Sequence, residues 1–267
     1  MKDCDRAAAA NGPGPEPAAP VARGRNYLYA IVAGGEPRAY RSLGIEGNDV
    51  YTIAYGHVAA VVSGLASSKI RPERANLTAH QAVLKRLMAD TTPLPMAFGT
   101  IAAGPEAIRG ILFKNQHAFQ EQIRRVAGKV EMGLRVAWDV PNIFEYFVHT
   151  HAELGMARDL LAGARREFTQ EEKIELGRMF DRLLNEDRGS YVQEVKRAIA
   201  SACFEIKANQ CRNEREVMNL ACLVGRNKQE EFDAAVFAAA KLFDNHFSFD
   251  YSGPWAPHNF VELDLEQ

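Results

Sequence analysis

From Val130 onward the chain arranges its hydrophobic residues in an order that few folds accommodate. A period-two run over 130–138 is followed by a helical stripe opening at Thr169, runs over 202–207 and 217–224, a second stripe over 229–243 and a last run over 246–251. Strand, helix, strand, strand, helix, strand is the split βαββαβ unit of ferredoxin-like folds. The first helix opens with the capping box Thr169-x-x-Glu172 and carries Leu176, Phe180, Leu183, Leu184, Tyr191, Val195 and Ile199 along one face, with Gly189 expected to mark a bend. The second repeats the period in Phe232, Ala235, Val236, Ala239, Leu242 and Phe243, and its alanines permit close packing.

The end of this unit is chemically abrupt. FSFDYS runs straight into Gly253-Pro254-Trp255. Pro254 has no N–H for a ladder and Gly253 tolerates angles other residues avoid, so the strand is expected to stop and turn there. Pro257 stiffens the segment that carries Trp255, which suits either an interface anchor or a clasp holding the two halves of the chain together. Trp255 and Phe260 near a terminus generally pack inward, which favours the clasp.

The first half reads differently. Residues 1–25 are rich in Ala, Pro and Gly, with Val21 the one large apolar side chain after Met1, and are expected to form a flexible tail. A strand over 27–32 ends at Gly34-Gly35, and runs over 50–55 and 58–63 flank Gly56-His57, the spacing of a tight hairpin. A helix is expected from a Thr78-x-x-Gln81 capping box, an extended segment and strand from PLPMAFGT at 93–100, and one helix over 105–126. Residues 141–166 read as a helical connector interrupted at Gly155 and Gly163. The fold class is therefore α+β in two domains. An N-terminal α+β domain, expected to be a ferredoxin-like-related α/β unit, spans 26–128 and a ferredoxin-like βαββαβ domain with a helical insertion spans 129–251, while 252–267 form a tail packing on both.

A chain of 267 residues buries roughly 70–75% of its unfolded surface. With 47% hydrophobic and 25% charged residues it has the composition of an ordinary globular protein. Its 32 basic and 34 acidic residues leave a formal charge of −2, which gives no basic field for nucleic acid. No apolar run reaches the length of a membrane helix, and MKDCDRAAAANGPGPEP lacks the apolar core of a signal peptide, so a cytoplasmic location is expected. Cys4, Cys203, Cys211 and Cys222 have no paired spacing and read as free thiols.

Catalytic frameworks are absent: there is no G-x-S-x-G, H-E-x-x-H, G-x-G-x-x-G or phosphate-binding loop. Glu145, His149 and His151 form the best metal-like cluster, but neither helix nor strand spacing brings in a third ligand, and a solvated Glu-His pair accounts for them. Phe98, Phe249 and Tyr251 lack the basic-aromatic context of RNA-binding strands and read as core. The mixed charges of the long helix, from Glu171 to Glu186, read as a solvated face. No catalytic residue, metal or cofactor is expected.

Two motifs carry a resemblance. GPW followed by proline and NFV at the C-terminus, together with PLPMAFGT, resembles the signatures of the gas vesicle protein F/L family, and weaker echoes fall at 27–32 (YLYAIV), 130–136 (VEMGLRV) and 218–226 (MNLACLVGR). The resemblance covers about residues 27–265. Ala256 stands where a second proline is common, His258 where tyrosine is common and Ala97 where a basic residue is common. The resemblance implies an N-terminal α/β domain joined to a ferredoxin-like one. It also implies a non-enzymatic accessory or minor structural role in gas vesicle assembly, binding the hydrophobic shell protein and other accessory proteins. Phe98, Pro254, Trp255 and Phe260, all in or beside the two motifs, are the expected partner-binding residues. An enzyme or small-ligand binder using a cleft around Phe98, Gly99 and Thr100 is the alternative.

Overall fold

A computed structural model describes residues 24–163 and 169–263. Most of the tail expected over 1–25 lies outside these residues. The chain forms a mixed α/β structure around two antiparallel sheets.

The first sheet is built on β1 (Arg25–Ala33), whose neighbours are β4 (Val58–Leu65) on one side and the two-residue strands β5 (Leu94–Pro95) and β6 (Ile101–Ala102) on the other. β3 (Val50–Tyr55) pairs with β4 through the expected Gly56-His57 turn, and β2 (Ala39–Tyr40) closes the edge. Apart from its last residues, β4 is buried on both faces, and its alternation divides the core. Val58, Ala60 and Val62 join one cluster, while Ala59, Val61 and Leu65 join another. Helix α1 (Arg74–Asp90) covers the second cluster with Val83, Leu84 and Leu87. Helices α2 (Pro105–Lys114) and α3 (Gln116–Val126) cover the first with Ile108, Leu112 and Phe119.

The second sheet has the order β10-β7-β9-β8, formed by β7 (Lys129–Trp138), β8 (Glu205–Asn209), β9 (Glu216–Gly225) and β10 (Phe247–Trp255). One face is covered by α4 (Ile143–Thr150), α5 (Ala152–Gly163), α6 (Gln170–Ile199) and α7 (Gln229–Ala240). The other face meets the first half of the chain. Leu220, Cys222 and Val224 of β9 point into the helical cluster, whereas Ala221 and Leu223 point into the cluster beneath α2 and α3. The two halves thus share a core, and the central strands β7 and β9 are covered on both faces, whereas the edge strand β10 is largely exposed. Phe249 packs against the helical cluster as expected, but Tyr251, read as core, is 46% exposed on the edge strand and only reaches Phe232 at 6.5 Å.

Several local expectations need correction. Helix α1 begins one turn before the expected capping box: its N-cap is Glu73, and Thr78 lies inside the helix. The single helix expected over 105–126 is broken at Asn115, whose side-chain amide bonds the Ile111 carbonyl at 2.9 Å and so competes with the backbone ladder. The Thr169-Glu172 capping box forms in full, and α6 runs through Gly189 without interruption. Gly155 does not interrupt the connector, which breaks instead at His151. A Cβ on Gly155 would meet the Val148 carbonyl oxygen at 2.9 Å, so glycine there permits α5 to fold back on α4.

The largest departure is in β10, which does not stop at Gly253. The ladder with β7 lapses after Ser252 and resumes where Trp255 faces Glu131. Pro254 is tolerated because β10 is an edge strand and the two residues form a bulge. Gly253 has φ +135°, and a Cβ there would lie 2.8 Å from Met132 Sδ, so only glycine lets the bulge lie against β7.

Candidate functional site: an apolar groove at the junction of the two halves

The bulge has a consequence for shape. By holding residues 253–256 away from a regular ladder beside the outer face of α1, it leaves a groove of about 780 Å³. Leu77 and Met88 form one wall above the buried Leu84, and Val130, Pro254 and Trp255 form the other. The α1 wall follows helical spacing, so three turns of that helix present one apolar stripe. Trp255 is 45% exposed, and its indole N–H donates to Ser252 Oγ at 3.2 Å, which leaves the ring's apolar surface facing the groove.

Of the four residues expected to meet a partner, Pro254 and Trp255 line this groove. Phe98 is only half buried but is engaged elsewhere, edge-on to Tyr27 at 6.0 Å and to His80 at 5.8 Å. Phe260 has no exposed surface and belongs to the core of the first half, so no partner reaches it directly. The clasp expected of Trp255 is therefore made by Phe260. Its neighbour Asn259 gives its backbone N–H and side-chain amide to the carboxylate of Glu131 at 2.8 and 2.6 Å. Burial raises the Glu131 pKa, and the two Asn259 bonds oppose that shift.

Other contacts fasten the same junction. Arg125 on α3 grips Glu205 on β8 with bonds of 2.9 and 3.1 Å, Arg226 reaches the Thr91 carbonyl at 2.8 Å, and Lys207 pairs with Glu262.

The cleft around Phe98, Gly99 and Thr100 offers little to a ligand. The Gly99 N–H donates to the Tyr27 hydroxyl at 3.0 Å, and the Thr100 N–H and hydroxyl both go to the Ala97 carbonyl. Tyr27 in turn meets His80 Nδ1 at 2.9 Å, deep beneath α1. Burial, with a smaller contribution from His258, pushes the His80 pKa down to about 4, so the ring is neutral near pH 7.

The metal-like trio is dispersed. Glu145 pairs with Arg158 at 3.1 Å, and His151 pairs with Asp187 at 3.1 Å while stacking on Phe147. Among the described residues no three His, Cys, Asp or Glu gather as metal ligands, and no helix is long and apolar enough to cross a membrane. The charges of α6 form local pairs such as Arg182 with Glu186, and Arg182 also reaches Glu153 of α5 at 2.9 Å.

The groove was missed from sequence because its walls, residues 77–89 and 253–256, are far apart along the chain. A signal was present in α1. Leu77, Ala82 and Met88 lie outside the inward stripe of Val83, Leu84 and Leu87, giving this helix apolar residues on more than its buried face.

Fold and groove together define a class: an α+β protein of two antiparallel sheets with a solvent-open apolar groove at their junction. The profile of the family described as Gas vesicle synthesis protein GvpL/GvpF matches residues 25–262, and the chain belongs to that family. It is 24% identical to Gas vesicle protein F of Dolichospermum flosaquae over 242 residues, covering 89% of this chain and 98% of that one. Gas vesicle protein F of Streptomyces sp. (strain CB03234) is 26% identical, with 88% and 99% covered. Gas vesicle protein L1 of Halobacterium salinarum is 23% identical, with 90% and 91% covered. The crystal structure of the gas vesicle protein GvpF from Anabaena sp. PCC7120 has the same fold, with a TM-score of 0.78 at 22% identity over 90% of this chain and 99% of that one.

Proposed function

We propose that this protein is a non-enzymatic accessory or minor structural component of gas vesicle assembly that acts in the cytoplasm and at the vesicle, binding the hydrophobic shell protein and other accessory proteins. Family membership supports the process. The observation that supports a binding role is the groove, where a half-exposed tryptophan faces an apolar helix stripe. Open apolar concavities of this kind are where proteins receive one another, and tryptophan is the side chain most enriched among residues that dominate such contacts. A shell subunit that faces gas on one side carries apolar surface that aggregates in water unless something covers it before assembly.

In architecture, the strand order β10-β7-β9-β8 with helices on one face supports reading residues 129–251 as a ferredoxin-like unit and 26–128 as a separate α+β domain sharing its core.

The test is co-expression with the tagged shell protein, followed by pull-down and size-exclusion chromatography. Soluble co-elution is expected. Trp255→Ala is expected to fold, with a loss of only about 1 kcal/mol because the ring is half exposed. The same change is expected to weaken shell-protein retention about 30-fold or more, as loss of a hot-spot tryptophan does. Failure of folded wild-type protein to co-elute removes the proposal, and unchanged retention by the variant moves the contact away from the groove.

A further inference from the structure

We propose that the groove receives an amphipathic helix of the partner, docked by its side chains, with carboxylates beside the helix's apolar face held over Lys85 and Arg226. This rests on reading the groove as the partner contact and specifies the chemistry of what enters it.

Two observations carry the proposal. The first separates a docked helix from an added strand. Along the groove the β10 ladder has already lapsed between Ser252 and Trp255, and Pro254 has no N–H to offer. An incoming strand would find no continuous row of backbone partners there. The groove instead offers side chains: Leu77 and Met88 on α1, with the buried Leu84 at the floor between them, across from Pro254 and Trp255. A helix laid beside α1 matches that stripe, because its own apolar residues recur at the same spacing. The stretch from Leu77 to Ala89 spans roughly 20 Å, the length of about 14 residues of partner helix.

The second observation is the sign of the charge at the walls. The polar residues lining the groove include Gln81, Lys85, Arg226 and Gln229, and no carboxylate lines it. Among the described residues Lys85 forms no ion pair, whereas its neighbour Arg86 is matched by Asp90 at 3.0 Å. Arg226 gives one N–H to a neutral carbonyl, that of Thr91, and has no carboxylate partner among the described residues. Two cations without counter-charges beside an apolar floor select for carboxylates and against amines on whatever lies there.

The experiment uses two synthetic 14-residue helices with the same leucine stripe, one flanked by glutamates and one by lysines, each fluorescein-labelled and titrated with the full chain by anisotropy. The wild-type protein is expected to bind the glutamate peptide at least tenfold more tightly at low salt, and the preference shrinks at 0.5 M salt. Lys85→Glu, at an exposed position that leaves the melting temperature unchanged, is expected to lower that affinity about tenfold and to improve binding of the lysine peptide. Trp255→Ala is expected to weaken both. Equal binding of the two peptides, or a glutamate preference that Lys85→Glu leaves intact, overturns the proposal. So does failure of both peptides to bind a protein that still co-elutes with the shell protein. If the shell protein does not co-elute either, the underlying functional reading falls with it.

Discussion

Replacing Phe260 with alanine is expected to destabilise the protein by about 3–5 kcal/mol, the range for deleting a fully buried phenylalanine, and to lower its melting temperature by roughly 10 °C. The side chain is 0% exposed and sits with Leu28, Phe119 and Leu223, which come from three different elements of the two halves. A cavity there loosens the first sheet from the second. Relaxation is limited, because Asn259 remains tethered to Glu131 and Lys207 lies over the ring position at 5.8 Å. Thermal and urea unfolding of Phe260→Ala beside Trp255→Ala gives the check. A large loss for Phe260 and a small one for Trp255 separate clasp from anchor, whereas comparable losses would return Trp255 to the role of a clasp.

Acid is expected to weaken the fold through His80. The unfolded chain binds a proton on this side chain near pH 6.5, while the folded ring resists protonation down to about pH 4. Between those values the unfolded state holds more protons, so stability falls as pH drops from about 6.5 to about 4 and levels off for this group below that. The 2.5-unit depression corresponds to about 3 kcal/mol overall, of which about 2 kcal/mol is lost by pH 5. Burial is the main cause. His80 is 2% exposed, is enclosed by Tyr27, Tyr29 and Phe98, meets the Tyr27 hydroxyl at Nδ1, and has no hydrogen-bond partner for Nε2. A second proton would place a charge among these rings with His258 as a like-charged neighbour. His80→Phe keeps the aromatic packing and is expected to remove about 2 kcal/mol of the difference in urea stability between pH 7.5 and pH 5, whatever its cost at pH 7.5. An unchanged difference would assign the acid sensitivity to other groups, among them His258, whose pKa burial also lowers.

Elements whose stabilisation is local or strictly periodic could be read from residue types. The Thr169-Glu172 cap and the stripe from Phe180 to Ile199 are written in adjacent residues, and the second half's element order follows from them. β9 was legible for a related reason, since a strand covered on both faces is a near-continuous apolar run. What failed depended on competition or distance. Asn115 ends one helix and begins the next with φ −107° and ψ 12°, its side-chain amide sharing the Ile111 carbonyl with its own N–H, a local departure that periodicity does not record. Pro254 was read as a stop because proline cannot continue a ladder, but an edge strand can bulge around it and rejoin at Trp255. The burial of Phe260 and the exposure of Trp255 were not legible, because burial of Phe260 requires both halves to be assembled and nothing within residues 256–263 has a period. Of the residues in the family motifs, Pro254 and Trp255 line the groove, Phe260 lies in the core and Phe98 packs against His80 of α1.

In the function proposed above, the groove between α1 and the β10 bulge is the face that meets the shell protein. Hydrogen exchange of the protein alone and in its co-purified complex tests this most directly. The account expects added protection on α1 around residues 77–89 and at 255–256, with α5 and α7 exchanging as in the free protein. Protection confined to α5 or α7, with residues 77–89 unchanged, would contradict it.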